Sequence, residues 1–422
     1  MQGTESIETG RPDDAQEARW LSIVGIGEDG PDGLSPTARA AIEKAEVVFG
    51  GARHLVLAGE AVKGRAQAWP SPFERGIEMV LSLRGQRVCV LASGDPLLYG
   101  VGATLARQVQ AEEMRVIPAP SSYSLAASRL GWPLAEITCL TVHGRALDLI
   151  RAHLHPGRRL LVLTSDAAGP SEIAGLMTAS GFGGSVLHVL EALGGPRERV
   201  RSGKAAAFDL ADIDPLNLVG IEVVAGEGAR VIALTPGLPD ELYEHDGQLT
   251  KREIRALTLS ALAPRRGEVL WDIGAGAGSI GIEWMLTDPS LKAVAIEERP
   301  ERAARIRRNA ASLGVPGLEI VEGRAPLVLA GLPAPDAIFI GGGAGDTGVL
   351  DAAIAALKTG GRLVVNAVTL ETEALLIAQH AAHGGELVRL SVARAAPVGG
   401  LTGWRPAMPV TQWNWVKPGG AS

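Results

Sequence analysis

The chain has 422 residues, 46% of them hydrophobic, and a net charge of −7, which supplies apolar material for two or three full-sized cores and argues against nucleic-acid or membrane-surface partners, since those need a basic footprint. Cys89 and Cys139 each sit inside an apolar run, so neither a disulfide framework nor a metal cluster is expected. No apolar run is long enough to span a bilayer and no apolar leader opens the chain, so a soluble cytoplasmic protein is expected.

Residues 1–18 are polar and acid-rich and are expected to be disordered. Apolar runs of strand length then alternate with helical patterns, which favours parallel sheets covered by helices. Strands are expected at 20–25, 46–49, 87–92 and 114–118, with helices over 35–45 and 73–84; Ser35-Pro36 supplies an N-cap with proline at N1. A second α/β series has strands near 137–142, 159–164, 186–190 and 217–224. These make a domain over 19–230, with lobes of about 19–118 and 119–230. The stretch 231–248, rich in turn formers and acids, reads as a linker. A second domain, 249–422, is expected to run helix 250–262, strand 268–272, helix 279–286, strand 292–297, helix 300–313, strands 318–322 and 336–341, helix 347–358, strand 361–366 and helix 370–383, closing on strands 386–391 and 409–416. Thr250 should cap the first of these helices, with Glu253 completing a capping box.

The second domain carries the sharpest chemical signal. Asp272-Ile-Gly-Ala-Gly-Ala-Gly278 follows an apolar run, and Glu297 closes the next one. Glycines let the chain turn sharply off a strand and bring backbone N–H groups to a ligand at a helix N-terminus; an acid at the tip of the next strand can take both hydroxyls of a ribose. Dehydrogenases use G-x-G-x-x-G for this turn. Here the glycines are Gly274, Gly276 and Gly278, preceded by Asp272, the spacing used by S-adenosylmethionine (SAM) methyltransferases, which disfavours a nicotinamide oxidoreductase. Glu298 competes with Glu297 but reads as a solvated charge at a helix start.

The first domain has three strand-to-helix loops of interest: Val24-Gly-Ile-Gly27 onward, Ser93-Gly-Asp-Pro-Leu-Leu-Tyr-Gly100, and Pro118-Ala-Pro-Ser-Ser-Tyr123. Ligands in open α/β sheets bind at the carboxyl edge where such loops gather. Together the loops resemble those of the tetrapyrrole (precorrin) methylase family over about residues 20–230, with Ala119 in place of the family's glycine and Glu28-Asp29-Gly30 in place of its Pro-Gly-Asp turn. His143-Gly-Arg145, Leu161-Val-Leu-Thr-Ser165 and the run 195–200 resemble the branch that methylates C5 of the cobalamin precursor. Thr250-Lys-Arg-Glu-Ile-Arg255, the 271–279 turn, Ala295-Ile-Glu-Glu298, Glu322-Gly-Arg-Ala-Pro326 and Asp336-Ala-Ile-Phe-Ile-Gly-Gly-Gly343 resemble the C15-methylating, decarboxylating methyltransferases of the same route.

The resemblance implies a two-lobed tetrapyrrole methylase α/β fold followed by a Rossmann-like class I methyltransferase fold, and SAM bound twice. In the first half the positions matching the cofactor cleft are Gly25, Gly27, Gly94, Asp95, Tyr99, Ser121 and Ser122. In the second, Gly274, Ala275, Gly276, Ala277 and Gly278 would line the methionine end, Glu297 would hold the ribose, Ala325 would lie beside the adenine and Thr250 would close over the cofactor. Arginines should meet the acetate and propionate arms of the tetrapyrrole; His143 and Arg145 are the candidates in the first half, Arg394 and Arg405 in the second, where the loop 394–406 is expected to fold over the macrocycle. No catalytic acid or base is assigned, and a homo-oligomer is expected. Another tetrapyrrole, an RNA or protein acceptor for the second half, and a non-catalytic SAM-binding scaffold are the alternative readings.

Overall fold

The computed structural model describes residues 19–419, so the expectation for 1–18 lies outside the described residues. The chain divides into two units: one holds the sequence up to Gly144 together with Pro156–Ala229, the other Arg145–His155 together with Arg230 onward.

In the first unit, β1 (Leu21–Ile26), β2 (Val47–Gly50), β3 (Arg65–Ala68), β4 (Val88–Ser93) and β5 (Met114–Ile117) form a sheet in the order β3-β2-β4-β1-β5, parallel throughout. Helices α1 (Pro36–Lys44), α2 (Ala52–Ala58), α3 (Phe73–Ser82) and α4 (Val101–Leu105) lie between its strands. β1 and β4 read as nearly unbroken apolar runs because both faces of the sheet are covered. Ser35 caps α1 as expected, its Oγ accepting from Ala38 N–H at 3.2 Å.

After α5 (Ser122–Leu130), a second sheet takes β6 (Ile137–Thr141), β7 (Arg159–Leu163), β8 (Val186–Glu191), β9 (Arg199–Lys204) and β10 (Asn217–Glu222) in the order β6-β7-β10-β8-β9, with α6 (Gly169–Ala179) between β7 and β8. Only β6 and β7 pair in parallel; the other pairs are antiparallel, which corrects the expectation of parallel sheets. The connection 192–198 is too short for a crossover, which needs a dozen or more residues, so β8 and β9 must form a hairpin. β3 and β9 are mostly polar and exposed, and apolar patterning did not mark them.

The second unit is a seven-stranded sheet. β11 (Val269–Ile273), β12 (Lys292–Glu297), β13 (Glu319–Glu322), β14 (Ala337–Ile340) and β15 (Arg362–Ala367) pair in parallel in the order β13-β12-β11-β14-β15. Beyond them β16 (Glu386–Leu390), β17 (Ala393–Val398), β18 (Leu401–Pro406) and β19 (Val410–Val416) complete the strands, with β19 lying antiparallel between β15 and β16. The helices are α7 (Arg252–Leu262), α8 (Ser279–Thr287), α9 (Pro300–Ser312), α10 (Val349–Ala356) and α11 (Leu370–His383). One buried cluster gathers around Leu262, Trp284, Ile306 and Phe339, another around Trp271, Ile340, Leu376 and Trp413.

Four expectations change here. The stretch 231–248 is no free linker: Leu238 and Tyr243 are buried, and Glu283 on α8 accepts from Gly237 N–H (2.6 Å), Leu238 N–H (3.0 Å) and Tyr243 O–H (2.8 Å). Residues 145–155, within the stretch expected for the first domain, pack with the second unit, where Ala152 lies against Gly314. α7 begins at Arg252 with Lys251 as its N-cap and no side-chain cap, so neither Thr250 nor Glu253 caps it. The 394–406 loop is the β17–β18 hairpin, with Arg394 directly opposite Arg405.

Candidate active site

In the second unit a cavity of about 590 Å³ opens at the carboxyl ends of β11, β12 and β14, within the range of small-molecule sites. The strand order reverses between β11 and β14, the position where open α/β sheets bind ligands. Gly274, Ala275, Gly276, Glu297, Ala325 and Thr250 all line it. Ala277 and Gly278 do not: Ala277 is buried, and an added Cβ on Gly278 would meet the Ile306 side chain at 2.7 Å, so this third glycine serves the packing of α8 on α9.

The turn is fixed from both sides. Gly274 and Ala275 N–H groups donate to Ile296 O (3.0 and 3.1 Å), and Gly276 N–H donates to Glu297 Oε2 at 2.8 Å. Glu297 Oε1 accepts from Arg299 N–H at 3.1 Å. The carboxylate is buried yet lines the cavity, with each oxygen anchored by one backbone N–H. SAM fits this cradle: glycines leave its floor free of side chains, Glu297 presents acceptors where a ribose diol would bond, and apolar Ile296, Ala325 and Phe339 supply walls. Glu298, read as a solvated charge, is exposed but also lines the cavity.

Beneath the turn, Asp272 is fully buried; Oδ2 accepts from Gly281 N–H at 3.0 Å and Oδ1 has no hydrogen-bond partner. Burial pushes its pKa up to about 7, the Gly281 N–H opposing the shift and Glu297 adding to it. The folded state therefore keeps a proton that the unfolded chain gives up near pH 4, so this group's contribution to stability is full below pH 4 and is lost as pH rises toward 7. Asp272→Asn is expected to remove that loss: urea midpoints at pH 5 and pH 7 should lie closer together in the variant than in the parent.

Sequence reasoning missed several cavity residues. Lys251, Arg302 and Arg324 bring cations to it, joining Arg394, the one expected from the sequence, which lines it from the hairpin while paired with Glu253. Arg324 pairs with Asp346 at 3.0 Å. Arg405 is exposed and does not line the cavity. Asn366, a polar residue near the end of an apolar strand, lines it as well; its amide donates to Thr258 Oγ1 (3.0 Å) and accepts from Gln412 (2.9 Å). That break in an apolar run was the available signal.

In the first unit the three loops are stitched together at the carboxyl ends of β1, β4 and β5. Gly94 N–H donates to Ile26 O and Ala119 N–H to Gly94 O, both at 3.1 Å. A Cβ on Gly25 would lie 1.9 Å from Gly94 O and 2.6 Å from Ala119 N, so no side chain fits there. Gly27 faces the Asp29 carboxylate. Asp95 Oδ1 accepts from Leu97 N–H at 2.9 Å, an Asx turn that sets the loop. Tyr99 has φ +58° and stands edge-on to buried Tyr123 at 6.4 Å. Ser121 is the N-cap of α5, its Oγ accepting from Ser124 N–H at 3.1 Å, and Ser122 is that helix's first residue. His143 is exposed, with Nδ1 3.2 Å from Thr164 O. Arg145 lies two residues on, just past the point where the chain passes to the second unit.

Among the described residues no group of three or more His, Cys, Asp or Glu side chains is placed to hold a metal, and no helix is long and apolar enough to cross a membrane.

The arrangement agrees with what the chain resembles. Residues 21–209 match the tetrapyrrole (corrin/porphyrin) methylases and residues 241–417 a precorrin methyltransferase domain. A Sinorhizobium protein named precorrin-6Y C(5,15)-methyltransferase (decarboxylating) is 61% identical over 398 residues, covering 94% of this chain and 96% of that one. A Salmonella typhimurium cobalt-precorrin-7 C(5)-methyltransferase is 30% identical over 180 residues, 43% of this chain and 88% of its own. The same organism's cobalt-precorrin-6B C(15)-methyltransferase (decarboxylating) is 35% identical over 180 residues, 41% of this chain and 92% of its own. Identity at that level across nearly the whole of both chains, with a methylase domain followed by a precorrin methyltransferase domain, places the chain in the precorrin-6Y C(5,15)-methyltransferase (decarboxylating) family.

Proposed function

We propose that the two units divide one sequence of reactions in cobalamin biosynthesis. The first methylates precorrin-6Y at C5; the second methylates C15 and decarboxylates the ring C acetate, giving precorrin-8. Each holds its own SAM, and the protein works in the cytoplasm. The observation that carries this reading is the second unit's cavity, where Gly274, Gly276, Glu297 and Ala325 converge at the switch point of a parallel sheet. The stitched Gly25, Gly94 and Ala119 loops support a second cofactor site in the first unit.

SAM supplies an electrophilic methyl group, and the acceptor carbons are electron-rich, so the residues have chiefly to orient and to exclude water. Such placement is worth up to about 7–11 kcal/mol. Glu297 and the 274–276 backbone fix the donor's end of the cavity, while Ile254, Phe339 and Met408 exclude water. Lys251, Arg324 and Arg394 would meet the carboxylate arms, and the one on the ring C acetate must be held out of the macrocycle plane for its electrons to enter the conjugated imine.

Titration calorimetry of the full chain with SAM is expected to give two sites per chain; one or none would refute the two-site reading. Arg394→Ala is expected to weaken substrate binding, and Arg405, its cross-strand neighbour, to add to the loss when both are replaced. Each lost charge-assisted contact should cost about 1.5–3 kcal/mol, and an unchanged KM for the double variant would remove the hairpin from the substrate site. The reading includes a homo-oligomer. Val398, Leu401 and Trp404 are exposed on the hairpin, Trp404 at 78%, and light scattering tests whether copies associate.

A further inference from the structure

A second constellation lies at the carboxyl edge of the first unit's parallel sheet. β2 ends at Gly50 and the first turn of α2 carries Arg53 and His54, while β4 ends at Ser93, directly before Gly94. His54 Nε2 is 2.8 Å from Ser93 Oγ, and Arg53 Nη2 donates to Ser93 Oγ at 3.0 Å while standing 3.2 Å from His54 Nε2. A guanidinium only donates, so the nitrogen facing it carries a lone pair; the Ser93 hydroxyl accepts from Arg53 and donates to that lone pair. The ring's hydrogen then sits on Nδ1, which is buried without a hydrogen-bond partner. Arg53 also pairs with Glu28, beyond β1; Arg197 stands 3.7 Å from the same carboxylate and pairs with Asp214. Burial first, and Arg53 second, hold the His54 pKa down to about 4, so the imidazole is neutral at neutral pH. Ser93 is exposed at the strand end, next to the loop that carries Gly94 and Asp95.

We propose that Ser93 and His54 form the proton acceptor for methylation at C5, an inference that rests on assigning that reaction to the first unit. C5 is a bridging carbon that carries one hydrogen within a conjugated ring. When a π pair of the macrocycle forms the new C5–CH3 bond, the S–CH3 bond breaks with its pair left on sulfur, and C5 bears both hydrogen and methyl beside a cationic π system. Conjugation returns when the C5–H pair re-enters the ring. The C5 proton passes to Ser93 Oγ as the Ser93 hydroxyl proton passes to His54 Nε2. The resulting imidazolium sits beside Arg53 and releases its proton to solvent. A cation of this kind is a strong carbon acid, so a weak base that is unprotonated at neutral pH is able to take its proton.

The test uses the full chain. C5 methylation is read by product mass on a substrate already methylated at C15, and C15 methylation on precorrin-6Y. His54→Gln and Ser93→Ala are expected to slow C5 methylation, the histidine variant by about 10²- to 10⁴-fold. SAM affinity and C15 methylation should stay at parental values, and deuterium at C5 should produce a primary isotope effect in the variants because proton loss has become rate-limiting. An unchanged C5 rate in both variants overturns the proposal, as does a slower rate without an isotope effect but with weakened SAM binding. If the variants instead lose C15 methylation and keep C5 methylation, the assignment of reactions to units fails with it.

Discussion

Gly274→Ala is expected to slow C15 methylation and decarboxylation by about 10²-fold while C5 methylation continues at the parental rate. Gly274 has φ +69°, a region that costs an L-residue about 1–2 kcal/mol. The added methyl would also lie 2.7 Å from Gly342 O, a backbone atom of the loop after β14. Neither side can yield cheaply. Gly274 and Ala275 are tied to Ile296 O, and Gly341 N–H donates to Ile273 O at 3.2 Å. The loop must then shift by something near an ångström, and a displacement of that size costs about 10²-fold in rate. Product mass gives the first readout. Calorimetry gives the second: the variant should bind one SAM fewer than the parent, and two undiminished sites would show that the 274–276 turn does not hold the cofactor.

Glu283→Ala is expected to destabilise the second unit by about 3–5 kcal/mol, the usual cost of breaking a buried ion pair from one side. Glu283 is 2% exposed and accepts from Gly237, Leu238, the Tyr243 hydroxyl and, at 2.5 Å, Arg255 Nε. Arg255 is itself fully buried; it also donates to Leu238 O and Thr250 O, pairs with Asp240 at 3.2 Å and lies over the Tyr243 ring at 4.8 Å. Removing the carboxylate leaves two backbone donors and a hydroxyl unsatisfied and a guanidinium short of one counter-charge. Burial, reinforced by Glu283, holds the Tyr243 hydroxyl well above its ordinary pKa, so it stays a neutral donor. Hydrogen exchange across 237–262 is the measurement to make: protection there should fall before protection in β11 or β14, and an unaltered pattern would show that this network does not anchor the segment.

Most of the parallel architecture was legible because its strands are buried on both faces and so stand out as apolar runs broken by glycine turns and capped helices. Ser35 as the α1 cap, the 272–278 turn and Glu297 at the tip of β12 are local signals, and each lies where its spacing placed it. The departures are non-local. The polar, proline-rich look of 231–248 says nothing of Glu283, 45 positions beyond Leu238, which satisfies its backbone from inside a helix. Gly278 looked like part of a ligand loop, yet its partner is Ile306 on another helix. The mixed pairing of β7, β8 and β10 and the folding of 394–406 into a hairpin follow from connection length and tertiary pairing, to which apolar periodicity is blind. Thr250 was placed correctly at the cavity for an incorrect reason: it lines the wall through its position before α7, without capping the helix.

The assignment of Arg145–His155 to the second unit bears on how the gene can be dissected. The polypeptide passes from one unit to the other after Gly144, returns after His155 and passes over again after Ala229. A single cut near residue 230 leaves 145–155 on the upstream piece and parts Ala152 from Gly314 on the downstream one. Separating the two units therefore turns on where 145–155 goes, because no one cleavage point keeps every residue of each unit together.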